Sequence, residues 1–191
     1  MRTALVLLLL LTGCAEPPRG PESLIDHSAW QDHSPDTDPW AAERPGDDAL
    51  RCDPLSVFVD DTFEDSSLEV DLDYCNYSVQ TQPTLVSVLA GDTVTLRLWR
   101  AGFFFSTDEP VHLALRLGDV DVLDVEVPAP SDGGTLEYVE WTADRDFLEA
   151  TTVRFLVNTH QEFEEAGRHG GNSVNLIELS RVDPAWEPET E

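Results

Sequence analysis

The fold is decided by residues 111–127, whose sequence is VHLALRLGDVDVLDVEV. Valine and leucine alternate with other residues before Gly118, a pattern typical of a β-strand with one buried face. Gly118-Asp119 supplies a two-residue turn, because glycine accepts a positive φ, and valines carry the returning strand. The slip in apolar phase between Val122 and Val125 indicates a β-bulge. This stretch therefore predicts a β-hairpin.

The same alternation recurs on both sides of the hairpin. Val94, Leu96 and Leu98 alternate with polar residues after a turn at Gly91-Asp92. Further strands are predicted at 55–59, 68–72, 77–81, 85–89, 136–141, 153–157 and 174–179. No segment shows a convincing amphipathic helical period. Eight or more short strands predict an all-β, two-sheet antiparallel β-sandwich over residues 52–183. Because no tryptophan lies between its two cysteines, we favour a jelly-roll order over an immunoglobulin order.

The segments on either side of this domain have another composition. Residues 14–51 contain prolines at positions 17, 18, 21, 35, 39 and 45 and show no apolar period. We predict a disordered acidic tether there, with a root-mean-square span of roughly 35 Å. Trp30 and Trp40 are unusual in a linker and are expected to dock on the domain. Residues 184–191 are predicted to be an acidic tail.

The first fourteen residues carry an export signal. Arg2 precedes an apolar run that is too short to span a bilayer but matches the core of a secretory signal peptide. Leu11-Thr12-Gly13-Cys14 resembles the lipobox of bacterial lipoproteins. The resemblance implies removal of residues 1–13 and a lipid on Cys14, so the protein would be exported and anchored in a bilayer by several acyl chains. In that family an aspartate after the cysteine marks retention in the inner membrane, and Ala15 follows Cys14 here, so the resemblance implies the outer over the inner membrane. An ordinary signal peptide with a chance cysteine is the alternative.

The cysteine count agrees with export. The chain has three cysteines. If Cys14 is lipidated, Cys52 and Cys75 remain as a pair, and an oxidising compartment favours a disulfide between them. Two free thiols or a redox site are the alternatives, although the spacing is not that of a Cys-x-x-Cys motif.

The charge excludes several classes of function. The chain has 38 acidic residues against 11 arginines, no lysine, and a formal net charge of -27. Phosphates would be repelled along almost every face, so nucleic acid is excluded as a partner. Adsorption to anionic lipid by charge alone is excluded for the same reason. The absence of lysine excludes Schiff-base chemistry.

Candidate ligand-binding residues come from the aromatic pattern. Trp99 shares its strand phase with Arg97, and Trp141 shares its phase with Glu137. An indole on an open sheet face can stack on a sugar ring while neighbouring polar groups bond its hydroxyls. The alternative is that a strand end or the tether covers both tryptophans. Phe103-Phe104-Phe105 could form a contact patch or be buried.

Metal sites and catalysis have weaker support. Residues 60–65 (DDTFED) invite a calcium site but lack the EF-hand pattern, and a structural calcium held by separate loops stays open. His160 and His169 flank three glutamates in a loose zinc-like arrangement. His112 lies on the polar phase of its strand and is expected to be exposed. No nucleophile elbow or ordered triad occurs, so we predict no catalytic residue and no cofactor.

Two later stretches resemble known sequences. Gly91-Asp92-Thr93-Val94-Thr95-Leu96-Arg97-Leu98-Trp99 and residues 172–179 resemble uncharacterised bacterial lipoproteins and, loosely, carbohydrate-binding β-sandwich modules. The anchor, the tether, the all-β pattern and the missing catalytic motifs favour a non-catalytic surface lipoprotein that binds a glycan or another envelope component. A structural or protein-interaction module of a cell-surface assembly is the first alternative. A small metal-assisted hydrolase is the second.

Overall fold

The computed structural model describes residues 18–62, 66–105, 108–131, 133–161 and 172–188. The predicted signal peptide and Cys14 lie outside this part of the chain. Helical structure in the described residues consists of two 3-10 turns, His27–Ala29 and Pro35–Thr37. None of the helices described is long and apolar enough to cross a membrane. The strands are β1 Glu22–Ser23, β2 Gln31–Asp32, β3 Val57–Asp60, β4 Ser67–Asp71, β5 Tyr77–Pro83, β6 Thr93–Arg100, β7 Val111–Leu117, β8 Val120–Val127, β9 Thr135–Thr142, β10 Thr152–Asn158 and β11 Ser173–Val182.

The strands form two antiparallel sheets. Sheet A has the order β3-β4-β11-β6-β9, with β1 also paired to β11, and sheet B has the order β2-β5-β10-β7-β8. From β4 onward the chain crosses from one sheet to the other at each connection except the β7–β8 hairpin. The resulting orders, 4-11-6-9 and 5-10-7-8, are those of two interlocked Greek keys. The predicted jelly-roll sandwich is confirmed.

The hairpin that decided the fold has the predicted form. Gly118 has φ +64, a conformation that favours glycine, and begins the tight turn between β7 and β8. The pairing steps from Leu115 opposite Leu123 to Arg116 opposite Asp121, which leaves Val122 as the extra residue. This is the predicted bulge, and it lets adjacent residues of β8 both turn inward.

One predicted strand is wrong. In residues 85–89 only Val88 pairs, in an isolated bridge to Phe147. Val88 is fully buried, whereas Leu85 and Leu89 are exposed. The segment is a loop at one end of the sandwich, and Val88 is the side chain that it buries in the core.

The core lies between the two sheets. Alternate residues of β6, β7 and β10 point inward and are completely buried, among them Leu96, Leu115 and Phe155. Each such side chain contributes about 1.5–3 kcal/mol through loss of apolar surface from water. The predicted Cys52–Cys75 disulfide is present and joins the segment before β3 to the segment before β5.

The predicted disordered tether is wrong for its described part. Arg19 donates two hydrogen bonds of 2.9 Å to the Asp92 carboxylate, and β1 and β2 each add a short strand to one sheet. Leu24 and Ile25 are buried in the core between the sheets. Single apolar residues separated by acids and prolines have no periodicity, yet each one fills a specific site on the sandwich.

Residues 33–50, here called the strap, cross the outer face of sheet B. Trp40 is 5% exposed and packs with Tyr77, Val79, Ala114 and Leu156 in a second apolar cluster. The expected docking of Trp40 is confirmed. Trp30, which precedes the strap, packs at the edge of the main core.

Polar contacts fix the strap. The Tyr77 hydroxyl donates to Asp38 Oδ2 at 2.6 Å, and the Arg116 guanidinium lies 4.9 Å from the centre of the Trp40 ring. His112 was expected to be exposed, but the strap buries it. Its Nδ1 lies 2.7 Å from Glu43 Oε2, and its Nε2 lies 2.9 Å from Asp124 Oδ1. Burial alone would lower the pKa of His112, but its hydrogen bonds to Glu43 and then to Asp124 raise it.

The beginning of the predicted acidic tail is ordered against the start of the described chain. The Asp183 N–H donates to the Arg19 carbonyl at 3.1 Å, and the Trp186 indole packs on Gly20. Residues 189–191 lie outside the described part. Both ends of the described chain therefore meet beside Asp92, at the end of the sandwich where β6 begins and β11 ends.

Candidate functional site

The outward face of sheet A, here called the open face, differs from the strapped face of sheet B. Side chains of directly opposed residues in antiparallel strands lie on the same side of a sheet. Since Leu96 and Leu98 point into the core, Arg97 and Trp99 point outward. Outward residues of the edge strands include the exposed apolar side chains of Phe58, Leu136 and Tyr138. Such a cluster on one sheet marks a candidate binding surface.

One row of the open face runs across all five strands of the main order of sheet A. Each of its members is opposed to the next by the strand pairing. With a strand spacing of about 4.8 Å, the row is roughly 19 Å long. It places an aromatic ring at one end, a carboxylate and an amide in the middle, and an indole beside an aliphatic side chain at the other end. From edge to edge its members are Phe58, Glu69, Asn175, Trp99 and Leu136.

A second group of side chains lies next to this row. Arg97 donates to Glu178 Oε2 at 3.1 Å and is opposed to Tyr138 on the edge strand. Tyr138 is 57% exposed, and its hydroxyl donates to Glu140 at 3.0 Å. Trp99 and Tyr138 thus lie on neighbouring strands with charged hydrogen-bonding groups around them.

Asn175 organises the acidic half of the face. Its side-chain nitrogen lies 3.0 Å from Glu69 Oε2, 3.2 Å from Ser67 Oγ and 3.4 Å from Asp60 Oδ2. Asn175 is almost completely buried, and its Oδ1 has no hydrogen-bond partner among the described residues. An orphaned buried acceptor is uncommon and calls for a water, an ion or a ligand nearby.

Burial, hydrogen bonds and neighbouring charges shift the pKa values of the carboxylates on this face. Burial and the nearby Asp60 raise the pKa of Glu69 above its ordinary value, although Asn175 opposes this shift. Hydrogen bonds from Thr62 lower the pKa of Asp60. Burial likewise raises the pKa of Asp71, which lies on the same face. The face carries acids at 60, 69, 71, 140 and 178 and one arginine, Arg97, so it disfavours anionic ligands.

The predicted ligand residues are divided between two faces. Trp99 and Arg97 lie together on the open face. Trp141 and Glu137 lie on the opposite side of β9, so these four residues do not form one site. The Trp141 ring packs edge-on against Phe147 with centroids 5.8 Å apart, and Glu137 accepts from Arg100 at 3.1 Å.

The reason is the register between β6 and β9. Val94 is opposed to Trp141, and Trp99 is opposed to Leu136, so odd-numbered residues of β6 share a face with even-numbered residues of β9. Phase within each strand is visible in the sequence, but the register between strands from different Greek keys is not. Glu69, Asn175 and Tyr138 were missed for the same reason. Their only local signal was a polar side chain inside an apolar strand.

The other sequence candidates have separate locations. Phe103 is buried, Phe105 packs against the core, and only Phe104 is substantially exposed, so no contiguous phenylalanine patch forms. The calcium candidate is described only at residues 60–62, where Asp60 accepts two hydrogen bonds from Thr62. His169 and the three glutamates of the zinc candidate lie outside the described residues.

A cleft of about 590 Å³ opens between strands β3 and β5 at one side of the sandwich. Its lining includes Trp30, Val57 and Val79 together with His33 and Arg44 of the strap. The buried indole N–H of Trp30 has no acceptor among the described residues. The cleft is a second place where a ligand could sit.

Comparison with known proteins gives only distant structural similarities. No protein-family model and no curated protein matches the chain. Among solved structures, the chain is similar to the catalytic domain of Agl-KA, with 13% identity, a TM-score of 0.32, and coverage of 66% of this chain and 23% of that one. A GH87 α-1,3-glucanase catalytic domain bound to nigerose has 11% identity, a TM-score of 0.32, and coverage of 74% and 29%.

The complex of TmCBM61 with β-1,4-galactotriose is a further similar structure. It has 14% identity and a TM-score of 0.30, with coverage of 69% of this chain and 80% of that one. In contrast, the chain spans only about a quarter of the length of the Agl-KA and GH87 catalytic domains. Similarities of this size carry no argument about function, and the fold assignment depends on the strand order alone.

Proposed function

We propose that this protein is a non-catalytic glycan-binding module and that the open face is its binding surface. The observation that carries the proposal is the row from Phe58 to Leu136 on five adjacent strands, which combines stacking surfaces with the Glu69 carboxylate, held by the buried amide of Asn175. Aromatic faces bind the apolar side of a sugar ring, and carboxylates and amides accept hydrogen bonds from its hydroxyls.

The negative charge of the open face disfavours anionic sugars as ligands. Glu69, Asp60 and Glu178 would repel uronic acids, sialic acids and phosphorylated sugars. Arg97, the one arginine among the outward residues, is already paired with Glu178. We therefore propose a neutral or amino sugar as the ligand.

A lipid anchor at Cys14, as the lipobox resemblance implies, would set the position of this surface relative to a membrane. If Cys14 is acylated, only four residues lie between the anchor and Arg19, which is fixed to Asp92. The five Cα–Cα steps from Cys14 to Arg19 span at most about 18 Å, so the domain would lie close to the bilayer and not at the end of a long tether. Asp92 precedes β6, and Trp99 lies near the end of that strand. The aromatic row would therefore lie at the end of the domain that is farther from the lipid.

A glycan array with the purified protein, followed by isothermal titration calorimetry, tests the proposal. We expect binding to neutral or amino-sugar oligosaccharides and an affinity loss of at least about tenfold in Trp99→Ala, since this variant deletes the apolar surface on which the sugar ring stacks and a loss of about 1.4 kcal/mol is tenfold in affinity. Thr142→Ala is a control, because Thr142 lies on the same face outside the aromatic row. The proposal fails if no saccharide binds, or if Trp99→Ala binds as tightly as the unmodified protein.

A protein-interaction role is the second candidate. It is favoured by the exposed apolar side chains of Leu136 and Tyr138 on β9, which is an edge strand of sheet A. Edge strands can pair with an extended segment of another protein. Cross-linking in envelope extracts separates the candidates, because a stable protein partner without a saccharide response would support this role and contradict glycan binding.

A hydrolase is the third candidate. Glu69, with its raised pKa, and Asp60 are both within hydrogen-bond distance of Asn175. Paired carboxylates with separated pKa values are the arrangement that glycoside hydrolysis uses. Release of reducing sugar from a bound oligosaccharide, lost in Glu69→Gln, would establish this role in place of simple binding.

A further inference from the structure

A cluster of metal-ligand side chains lies on the strapped face, apart from the proposed glycan surface. It consists of Glu43 from the strap, His112 from β7 and His160 from the loop after β10. One potential ligand atom of each residue lies within 4.8 Å of the others. These residues are far apart in sequence, so only the folded chain with its strap in place brings them together.

His112 has the geometry of a metal ligand. It is 5% exposed, and its two ring nitrogens face two different carboxylates. Metal-binding histidines usually donate their second ring N–H to a carboxylate, which fixes the ring orientation. Asp124 is placed for that role at Nε2, and Nδ1 faces Glu43 across 2.7 Å.

His160 is held toward the cluster by an unusual backbone. Its φ is +53, a left-handed conformation uncommon for residues with a side chain. Its N–H donates to Asn158 Oδ1 at 2.9 Å. The Asn158 amide nitrogen lies 3.3 Å from His160 Nδ1 and 3.4 Å from Glu43 Oε2, so this buried side chain positions two of the three residues. Non-glycine residues in this region persist where the surrounding structure holds them, often at functional sites.

We propose that Glu43, His112 and His160 bind a divalent transition-metal ion, with Zn²⁺ as the best match to the donor set. Two imidazole nitrogens and one carboxylate oxygen are a common zinc set, with bonds of about 2.0–2.2 Å. A water or Glu126, whose Oε1 lies 3.9 Å from His160 Nε2, completes the tetrahedron. Glu43 and His160 also border a cavity of about 260 Å³, which gives a water or ion access to the cluster.

The ion would join the strap to sheet B. Glu43 lies on the strap, whereas His112 lies in β7 and His160 follows the end of β10. An ion that binds only the folded arrangement stabilises it in proportion to the logarithm of the free ion concentration. The site therefore serves the fold of the covered face and leaves the open face unchanged.

The test uses the full-length protein without a polyhistidine tag, stripped with EDTA and titrated with Zn²⁺ by calorimetry. We expect one tight equivalent and an increase in the thermal unfolding temperature with added Zn²⁺. His160→Ala should bind at least about 100-fold more weakly, and Asp124→Asn about 10–100-fold more weakly. Because His160 is exposed, His160→Ala should still fold. Its circular dichroism spectrum checks this.

His33→Ala is the matched control, since His33 also lies on the strap but bonds the Thr37 carbonyl at 2.9 Å instead of joining the cluster. It should bind Zn²⁺ as the unmodified protein does. The proposal is overturned if no saturable binding occurs, or if His160→Ala retains the original affinity. Equal losses in His33→Ala and His160→Ala would also overturn it, because they would indicate diffuse binding to an acidic surface. Co²⁺ absorption in the visible range, present in the unmodified protein and absent in His160→Ala, gives a second readout.

Discussion

The two outer faces of this sandwich are built from the same kind of strand, but one is covered by the strap and the other is exposed to solvent. The strap covers the face of sheet B, and there Trp40 and Tyr77 are buried with hydrogen-bond or ring partners inside the protein. The face of sheet A presents Phe58, Leu136 and Tyr138 to solvent. Aromatic residues on the first face stabilise the fold. On the second face they stay exposed, so we expect them to contribute less to folding, and this favours a role in binding.

The largest expected effect comes from removing the centre of the strap. Trp40→Ala should lower the free energy of unfolding by about 3–5 kcal/mol, because it deletes a buried indole and leaves a cavity against Ala114 and Leu156. Urea denaturation followed by circular dichroism measures this. A loss below about 1 kcal/mol would show that the strap does not belong to the cooperative fold.

Removing one hydroxyl sharpens the same contrast. Tyr77→Phe loses the hydrogen bond to the Asp38 carboxylate and should cost about 1.5–3 kcal/mol. Tyr138→Phe is its counterpart on the open face, where the hydroxyl meets an exposed glutamate. We expect it to change the urea midpoint very little. Equal losses in the two variants would remove the distinction between the faces.

The indole of the open face should matter least for folding. Trp99→Ala is expected to cost about 1 kcal/mol or less, since it empties an outward position and leaves the core intact. Thermal and urea unfolding check this on the same protein used for saccharide titration. A loss similar to that of Trp40→Ala would mean that Trp99 is a packing residue and would weaken the binding proposal.

The smallest effect is a pH dependence. Because burial and Asp60 raise the pKa of Glu69 in the folded state above its ordinary value of 4.5, its charged form opposes folding. Its contribution to stability is present at low pH and is lost as the pH rises through the folded-state pKa. Glu69→Gln should therefore be more stable than the unmodified protein near neutral pH, and this advantage should vanish below the ordinary pKa. Urea midpoints of both proteins, measured from below pH 4.5 to neutral pH, show which of the two is more stable. A Glu69→Gln variant that is less stable than the unmodified protein at neutral pH would contradict this prediction.

Local sequence patterns predicted much of the fold but only part of the site. The turn at Gly118 and the bulge at Val122 follow from glycine conformation and side-chain alternation within one hairpin. Trp99 and Arg97 were assigned to the same face by the same alternation. The sequence could not exclude Trp141 and Glu137 from the same site as Trp99, because the β6–β9 register is set by packing across the whole sandwich.

The covered face shows a different limit of sequence reasoning. Composition indicated a disordered tether, but disorder depends on whether a segment can bury enough apolar surface. In the strap, Trp40 and Leu50 pack against the cluster that contains Tyr77 and Ala114, and two residues ten positions apart create no periodic signal. For the same reason, the burial of His112 beside Glu43 was not visible in the sequence.

Hydroxyl-radical footprinting with mass spectrometry tests the contrast between the two faces most directly. In the free protein we expect oxidation of Trp99 and Tyr138 and none of Trp40. A saccharide selected on the glycan array should protect Trp99 and Tyr138 while leaving Trp40 unlabelled. Protection at Trp30 in the side cleft, with Trp99 and Tyr138 still oxidised, would contradict the assignment of the open face as the binding surface.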